Sequence, residues 1–367
     1  MIRRKNKLIK IAHCMSSLSG GVGKMIMNYF DNMENNDYEI HVITQDIASK
    51  EYLAMYEKRG YIIHVVPSKK EGLMKNFIEL KNIMKKEKFD IVHAHMTVTN
   101  LFPLMAAKYA GTNIRISHSH LAEKWNIVEK SVALLTKLVA TDYIACGEEA
   151  GIALFGKSRF LILHNAINVE KFKFNQDIRN EQRNILKIDN EKILCHVGRF
   201  TEQKDHMFLI EIFKMCLEKN ENIKLLLIGE GELEKNIKAI VREEKLENKV
   251  IFLGMIDDVE NKLQIADVFL LPSKFEGLSI AAIEAQASGL PCIISTNVDV
   301  KTKINKNVRL IDKNNKQKWV DEIFNALKEQ RYCSQDEIIA AGYDIKTEAI
   351  KLDKFYKNKI IKLRNSR

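Results

Sequence analysis

Short runs of apolar, β-branched residues alternate with helix-length segments along nearly the whole chain. In the first half this pattern predicts strands at KLIKIAHC, YEIHVIT, YIIHVVP, DIVHAH, IRISHS, DYIAC and FLILHN. Near-continuous apolar runs are typical of strands buried on both faces, and the intervening segments are long enough for crossover helices. The pattern therefore predicts an α/β fold in which helices cover a parallel sheet.

One predicted helix, GLMKNFIELKNIMKKEKF, is basic and amphipathic. Leu73, Phe77, Leu80 and Met84 recur at helical spacing and share one face. That face fits packing on the sheet, which is the simpler interpretation. A basic amphipathic helix can also lie on a membrane surface, so the sequence leaves both interpretations open.

A polar stretch, HNAINVEKFKFNQDIRNEQRN, separates this pattern from a second alternation and predicts an inter-domain linker. Further strands are predicted at KILCHVG, IKLLLIG, VIFLG, ADVFLLP and PCIIS, and the chain from Ser334 onward reads as helical with no further strand. Two doubly wound sheets would face a cleft with the carboxyl ends of their strands. We expect an N-terminal domain over residues 1–170 and a C-terminal domain over residues 171–345.

Composition narrows the class of protein. The 367 residues include six scattered cysteines with no C-x-x-C pair, and no histidine cluster has zinc-ligand spacing along the sequence, which predicts a reducing compartment and no metal site. Lys10 and His13 interrupt the basic, signal-like start, and no apolar run is long enough to span a bilayer, so we expect a cytoplasmic protein. The net charge of +10 fits either an anionic partner or dispersed surface lysines, and no nucleic-acid motif accompanies it.

The stretch LSGGVGKMIMNYF resembles a phosphate-binding loop in its letters. A P-loop requires G-x-x-x-x-G-K-[ST]. Met25 follows Lys24 where a hydroxyl should hold Mg²⁺, and Leu18 stands at the first glycine position. The sequence therefore excludes a triphosphate cradle and leaves Gly20–Gly21 as a turn between the first strand and the first helix.

The segment LPSKFEGLSIAAIEAQASGLPCIIS carries the strongest chemical signal. A helix is predicted to open at Gly277, so that free amides of Gly277, Leu278 and Ser279 can receive a diphosphate. Glu276 precedes this start, and Glu284 lies about two turns inside the helix. Carboxylates on either side of a diphosphate would bind the hydroxyls of a nucleotide sugar.

The segment HVGRFTEQKDH places Arg199 and Lys204 directly after a predicted buried strand. Two cations there are suited to neutralising a leaving diphosphate. The plainer interpretation is a pair of solvated surface cations. Their position beside a helix-start phosphate site favours the binding role.

These motifs resemble those of the retaining family 4 glycosyltransferases. The resemblance rests on GRF-x-x-Q-K and PS-x-x-EG-x7-EA-x-A-x-G-x-P, supported by GG after the first strand, DIVHAH, RISHSH, ATDYIACGEEAG, LHNAIN and LIGEGELE in the family's order. It covers nearly the whole chain and is strongest with bacterial exopolysaccharide and capsule enzymes. It implies the GT-B fold, two Rossmann-like domains facing a cleft, with a C-terminal helix over residues 346–367 that returns to the N-terminal domain.

The resemblance implies roles on the donor side. Arg199 and Lys204 would bind the donor diphosphate, Glu276 the transferred sugar and Glu284 the ribose. Backbone groups of the helix start and of a second loop would line the sugar, phosphates and base, namely those of Leu278, Ser279, Ile280, Gly254 and Met255.

The N-terminal half supplies further candidates. Four histidines end predicted parallel strands, where we expect at least one to bind or react: His93, His95, His118 and His120. The resemblance implies that His118 lies near the reacting sugar, with His120 as the alternative because HSH allows either alignment. It also implies that Gly20–Gly21 approaches the diphosphate or acceptor, and we expect further acceptor or sugar contacts from His95, His120 and Asn165.

Two departures from the family pattern concern the acceptor side. Gly23 stands where similar enzymes commonly carry Glu, and the usual NG-x-D appears as Asn165, Ala166, Ile167 and Asn168. No two aspartates stand two positions apart in a D-x-D metal motif. That agrees with a metal-independent enzyme that needs no cofactor.

The expected function is retaining transfer of a hexose or N-acetylhexosamine from a UDP-sugar to a lipid-linked glycan in surface polysaccharide synthesis. The expected location is the cytoplasm, with peripheral contact at the inner face of the cell membrane left open. Two alternatives remain: a GT-B nucleotide-sugar epimerase, and a non-catalytic GT-B partner subunit.

Overall fold

The computed structural model describes residues 8–33, 37–122 and 125–365. It divides the chain into two compact units, unit 1 (Met1–Ala166 with Ile345–Arg367) and unit 2 (Ile167–Asp344). Each unit is built on one parallel sheet. No helix in the described ranges is both long and apolar enough to cross a membrane.

Unit 1 contains a seven-stranded sheet in the order 3-2-1-4-5-6-7. Its strands are β1 (Ile9–Met15), β2 (Tyr38–Thr44), β3 (Ile62–Val65), β4 (Ile91–Ala94), β5 (Ile114–Ser119), β6 (Asp142–Ala145) and β7 (Leu161–Ile162). Its first six helices are α1 (Gly21–Asp31), α2 (Lys50–Glu57), α3 (Leu73–Glu87), α4 (Leu101–Tyr109), α5 (Ile127–Val139) and α6 (Glu148–Phe155). All the strands predicted in the first half are present and parallel.

The helices of unit 1 cover both faces of the sheet. On one face, α3 and α4 bury Leu80, Met84 and Leu104 against Val92 of β4. The amphipathic helix α3 therefore packs on the sheet, although Leu73 at its start is 53% exposed and does not share the buried face. On the other face, α1 packs over β1 in a separate apolar cluster.

Unit 2 contains a six-stranded sheet in the order 10-9-8-11-12-13. Its strands are β8 (Lys192–Val197), β9 (Ile223–Ile228), β10 (Val250–Phe252), β11 (Val268–Leu271), β12 (Cys292–Ser295) and β13 (Val308–Ile311). The prediction missed β13, a short edge strand in which only Val308 and Ile311 are buried, so it lacks a continuous apolar run.

The boundary between the units, at Ala166 and Ile167, lies inside the stretch predicted as a linker, but most of that stretch is helical. Unit 2 contains α7 (Val169–Phe172), α8 (Gln176–Ile185), α9 (His206–Lys219), α10 (Glu234–Glu243), α11 (Val259–Ile265), α12 (Ile280–Ala287), α13 (Lys316–Ala326) and α14 (Gln335–Ala340). The polar stretch predicted as a linker thus forms α7 and α8 of unit 2. Asn168 and Asn175 cap these two helices, which is why the stretch is polar without being extended.

The C-terminal helix α15 (Ile345–Asn365) confirms the predicted helical tail and belongs to unit 1. Ala349, Leu352 and Tyr356 are buried at helical spacing in the same apolar cluster as α1. The backbone N–H of His164 donates to Glu348 Oε2 at 2.8 Å, which fixes the beginning of the helix.

Candidate active site

Both sheets reverse their strand order at one point. In unit 1, β1 lies beside β4, and in unit 2, β8 lies beside β11. Loops that leave such neighbouring strands turn in opposite directions and open a crevice at the carboxyl ends. The predicted residues follow these strands: Gly20–Gly21 after β1, Arg199 and Lys204 after β8, and Glu276 after β11.

Lys204 and Glu276 meet at this point of unit 2. Lys204 Nζ lies 2.6 Å from Glu276 Oε1, and the two side chains are only 15% and 14% exposed. Ser273 Oγ donates to the second oxygen of the Glu276 carboxylate at 2.8 Å. Gln203 Nε2 donates to the carbonyl of Phe275 at 3.0 Å, so the two loops are tied together. The structure thus brings together two site residues that lie 72 positions apart.

Two further predicted features lie close to this pair in the sequence: Arg199 precedes Lys204, and the start of α12 follows Glu276. Arg199 is exposed, and in the part of the chain that the structure describes no carboxylate pairs with it. Helix α12 begins at Ile280, so the prediction that Gly277 opens the helix was wrong. Glu284 lies in its second turn and is half-buried.

The prediction that the backbone amide of Ser279 is free to bind a diphosphate is also wrong. The backbone N–H of Ser279 donates to Thr302 Oγ1 at 3.3 Å, and the Ser279 hydroxyl is buried without a partner. Thr302 lies in a 3-10 turn that follows β12, which local sequence around Ser279 does not reveal. Among the described residues, the amides of Gly277 and Leu278 have no protein acceptor and remain available to an anion.

A third loop of unit 2 contains the residues predicted to meet the base. Gly254 has φ +67°, and Met255 after it is 61% exposed. The N–H of Met255 donates to Glu230 Oε1 at 3.2 Å. Glu230 lies after β9 and was not predicted, although it belongs to the motif LIGEGELE. Gly229 packs so closely that an added Cβ would lie 2.2 Å from the carbonyl oxygen of Gly198.

Unit 1 places a histidine cluster at the carboxyl ends of its central strands. Its members lie on one face of β1, β4 and β5 and just beyond: His13, His93, His95, His118 and His120. His95 joins two neighbours, with Nε2 2.9 Å from His13 Nδ1 and Nδ1 3.0 Å from His120 Nε2. Burial lowers the pKa of His120 to about 4 and that of His13 to about 3, so the cluster is neutral at pH 7.

A pocket of about 350 Å³ opens on this cluster within unit 1. It is lined by Ser16, Val22, His95, Met96, Thr97, Val98, His120, Leu121, Trp125 and Glu129. His118 is fully buried and does not line the pocket, whereas its alternative, His120, does. Asn165 is not on the pocket wall, and its side-chain oxygen is buried without a partner in the described structure.

Three histidines of the cluster lie close enough together to raise the question of a bound metal ion. His95, His118 and His120 each place one nitrogen within 4.8 Å of the others. The rings of His118 and His120, however, stack at 4.0 Å with an angle of 27°, whereas ligands to one ion converge from different directions. The contact between His95 and His120 is a ring-to-ring hydrogen bond. The expectation of metal independence stays a prediction.

The glycines after β1 differ in what they require. Gly20 has φ +90° at the start of α1, a conformation that favours glycine. A Cβ at Gly21 would meet no atom within 4 Å. At Gly23, by contrast, a Cβ would lie 2.3 Å from Tyr56 Oη and 2.5 Å from the carbonyl oxygen of Leu18. Gly23 therefore faces the core of unit 1, and a Glu there has no room.

The second departure has an equally local explanation. Ala166 has no positive φ, and its carbonyl accepts a 2.9 Å hydrogen bond from Asn28 Nδ2, so glycine is not required. Asn168 caps α7 by accepting from the N–H of Lys171 at 3.2 Å, as an aspartate would. Neither departure removes a side chain from the pocket.

Comparison with known proteins places this chain in a family. A model described as "Glycosyl transferases group 1" matches residues 177–344, and one described as "Glycosyltransferase Family 4" matches residues 19–144. EpsF of Bacillus subtilis, described as a glycosyltransferase, is 32% identical over 308 residues, which cover 80% of each chain. An Escherichia coli UDP-Gal:alpha-D-GlcNAc-diphosphoundecaprenol alpha-1,3-galactosyltransferase is 29% identical over 344 residues, or 87% of each chain.

A solved structure supports the fold. Anabaena HepE in complex with UDP-glucose matches with a TM-score of 0.78 at 14% identity, over 95% of this chain and all of that one. The chain belongs to glycosyltransferase family 4 and has the GT-B fold, as its sequence predicts.

Proposed function

We propose that this protein is a retaining, metal-independent glycosyltransferase that moves a hexose or N-acetylhexosamine from a UDP-sugar to a lipid-linked glycan in surface polysaccharide synthesis. The observation that carries the proposal is the Lys204–Glu276 pair, held at 2.6 Å where β8 and β11 end. The E. coli relative, whose name gives a UDP-linked donor and a diphosphoundecaprenol acceptor, supports the two substrate classes.

The donor side of the mechanism follows from unit 2. A diphosphate brings negative charge to Arg199, Lys204 and the amides before α12, and this charge grows as the sugar bond breaks. Lys204 would exchange part of its contact with Glu276 for a phosphate oxygen, which frees the Glu276 carboxylate for a sugar hydroxyl. The leaving oxygen would take the proton of the incoming hydroxyl on the same face. No cofactor is needed, because protein cations stabilise the leaving charge.

The acceptor side is assigned to the pocket of unit 1. His95 and His120 on its wall are neutral at pH 7 and can exchange hydrogen bonds with sugar hydroxyls. The indole N–H of Trp125, also on the wall, is buried without a protein acceptor in the described structure. This set suits an uncharged, hydroxyl-rich ligand better than a phosphate.

A donor screen tests the proposal. UDP-, GDP- and ADP-sugars are compared by thermal shift, because a ligand of the native state raises the melting temperature. We expect stabilisation by UDP-sugars, slow UDP release from the correct one, and faster release with a lipid-diphosphate-linked sugar. Conversion of the donor without an acceptor would indicate the epimerase instead, and no donor binding would indicate the partner subunit.

We further propose that the exposed face of α5 contacts the anionic inner surface of the cell membrane. The apolar face of α5 is defined by Ile127, Val128, Leu134, Leu135 and Leu138, of which Ile127 is 82% and Leu138 69% exposed. Helix α4 packs between α5 and α3. Residues 69–88, which include α3, carry seven lysines against three glutamates. An exposed apolar face on α5 and a lysine-rich helix separated from it by α4 would together fit a bilayer that contains acidic lipid.

Vesicle flotation tests this contact. The wild type should float with phosphatidylglycerol-containing vesicles and much less with neutral ones. Leu134→Glu with Leu138→Glu should abolish flotation, whereas Ile185→Glu, at another exposed apolar side chain on α8, should not. Dimers that form without vesicles and are lost in the double variant would assign the face to a second copy of this chain.

A further inference from the structure

Tyr356 of α15 reaches the histidine cluster from the C-terminal end of the chain. Its hydroxyl lies 2.6 Å from His93 Nδ1, and His93 Nε2 lies 3.1 Å from His118 Nδ1. All three side chains are fully buried. His118 Nε2, at the far end of this chain of contacts, is buried and has no partner among the described residues. Tyr356, His93 and His118 are called the tyrosine relay below.

The protonation states of the relay are fixed by burial. Desolvation raises the pKa of Tyr356 well above its ordinary value and lowers those of His93 and His118 well below theirs. Each imidazole is therefore neutral and carries one N–H, and Tyr356 carries its hydroxyl hydrogen. Three hydrogens serve two hydrogen bonds, so one hydrogen is left over.

The two hydrogen bonds of the tyrosine relay can run in either of two directions. If Tyr356 donates to His93 Nδ1, then His93 Nε2–H donates to His118 Nδ1, and only His118 Nε2–H lacks a partner. If the relay runs the other way, the Tyr356 hydrogen lacks an acceptor and the lone pair of His118 Nε2 lacks a donor. Each buried polar group without a partner costs roughly 1–3 kcal/mol. The first direction leaves one such group and the second leaves two, so the first is favoured.

His118, the last residue of the relay, lies directly behind the wall of the pocket. The His118 ring stacks on that of His120 at 4.0 Å, and one nitrogen of His118 lies within 4.8 Å of nitrogens of His95 and His120. His95 and His120 line the pocket. The Nε2–H of His118 still needs an acceptor, and a ligand oxygen that enters between His95 and His120 on the pocket wall would supply one.

We propose that Tyr356 is a positioning residue, which acts through His93 to hold His118 in the tautomer that offers Nε2–H as a hydrogen-bond donor to a substrate oxygen. This inference rests on the proposed function for the identity of the substrate. It assigns His118 the role of a neutral donor, not that of a general base. It also gives the C-terminal helix a part in the site, through a contact that spans 263 positions of the chain.

The test reads the tautomer directly. Long-range ¹H–¹⁵N spectra of the full-length protein with ¹⁵N-histidine report which ring nitrogen carries hydrogen, and His118→Asn assigns the signal. We expect the Nε2–H form of His118 in the wild type. The Nδ1–H form in the wild type would overturn the proposal, and this reading needs no variant to fold. A shift of the His118 signal on stoichiometric addition of Zn²⁺ would also overturn it, in favour of a metal site.

Tyr356→Phe removes the hydroxyl and keeps the ring. We expect a mixture of His118 tautomers and an approximately tenfold lower kcat, corresponding to one hydrogen bond in the transition state, with the donor KM nearly unchanged. Tyr38→Phe is the matched control: the Tyr38 ring packs on Tyr356 and its hydroxyl donates to Asp353 on the same helix, but it does not contact a histidine of the relay. Tyr356→Phe with wild-type tautomer and kcat would contradict the proposal. If the protein transfers no sugar at all, the proposed function fails. The His118 tautomer of the wild type still tests the proposed role of Tyr356 in that case.

Discussion

The two units share a strand order but end their central strands in different chemistry. Unit 2 presents Arg199, Lys204 and Glu276, charged groups that keep some contact with solvent. Unit 1 presents imidazoles that are buried and neutral. A diphosphate needs cations and free amides, whereas sugar hydroxyls need neutral donors and acceptors. The difference shows that one architecture can present either charged or neutral side chains at its strand ends, according to how far those side chains are removed from water.

The largest effect is expected from the charged end of unit 2. Lys204→Met should lower kcat about 1000-fold, because it removes a cation from the leaving diphosphate and leaves Glu276 without its partner. Steady-state UDP release measures the change. Lys274→Met is the matched control, since Lys274 lies in the same loop as Glu276 but pairs with exposed Glu202. Near-wild-type turnover in Lys204→Met would remove unit 2 as the diphosphate site.

Acid should lower the free energy of unfolding through the buried, neutral histidines of unit 1. An unfolded histidine with a pKa near 6.5 binds a proton that buried His13 or His120 does not bind until about pH 3 or 4. The free energy of unfolding therefore falls as the pH drops below about 6.5, by about 2 kcal/mol per such histidine at pH 5. Above pH 7 both states are neutral, and the contribution disappears.

Urea unfolding between pH 7.5 and pH 5 measures this slope. His13→Asn should reduce the number of protons taken up on unfolding by about one near pH 5, whatever the variant does to stability at pH 7.5. A slope unchanged by His13→Asn would mean that His13 is already charged in the folded protein. The imidazoles would then resemble the charged groups of unit 2, and the comparison would fail.

A smaller effect separates the two glycines of unit 1. Gly23→Ala should destabilise the protein by about 2 kcal/mol, because its Cβ would collide with the buried Tyr56 hydroxyl and a backbone carbonyl. Gly21→Ala is the control and should leave stability nearly unchanged, since its Cβ meets no protein atom. Chemical unfolding measures both. Equal stability of the two variants would contradict the packing role of Gly23 and leave a role in acceptor binding as the explanation for the glycine.

The sequence predicts the parts of this molecule that depend on long apolar runs and strand order. Parallel strands β8 and β11 read clearly, and neighbouring carboxyl ends bring Lys204 and Glu276 together across 72 positions. What it could not predict are contacts between remote side chains with no spacing rule. Thr302 accepts a hydrogen bond from the amide of Ser279. The Tyr56 hydroxyl occupies the space beside Gly23, and the Tyr356 hydroxyl forms a hydrogen bond with His93.

The histidines illustrate the same limit. Their places at strand ends follow from the pattern, but burial decides which of them lies on the pocket wall. The resemblance favours His118, yet His118 lies behind the pocket wall and His120 lies on it. His120 follows the end of β5 and lies two residues after His118, so the alternation of the strand assigns both to the same face and cannot tell them apart.

The smallest effects are expected at the second departure from the family pattern, near the end of unit 1. Asn168→Asp should change the free energy of unfolding by no more than about 0.5 kcal/mol, because either side chain can accept the hydrogen bond that caps α7. Asn168→Ala should cost about 1 kcal/mol and serves as the control that the cap matters. Both should keep wild-type kcat, since Asn168 does not line the pocket and acts on its own backbone. A gain in kcat for Asn168→Asp would show that the missing carboxylate belongs to the site, and unit 1 would then share the charged chemistry of unit 2.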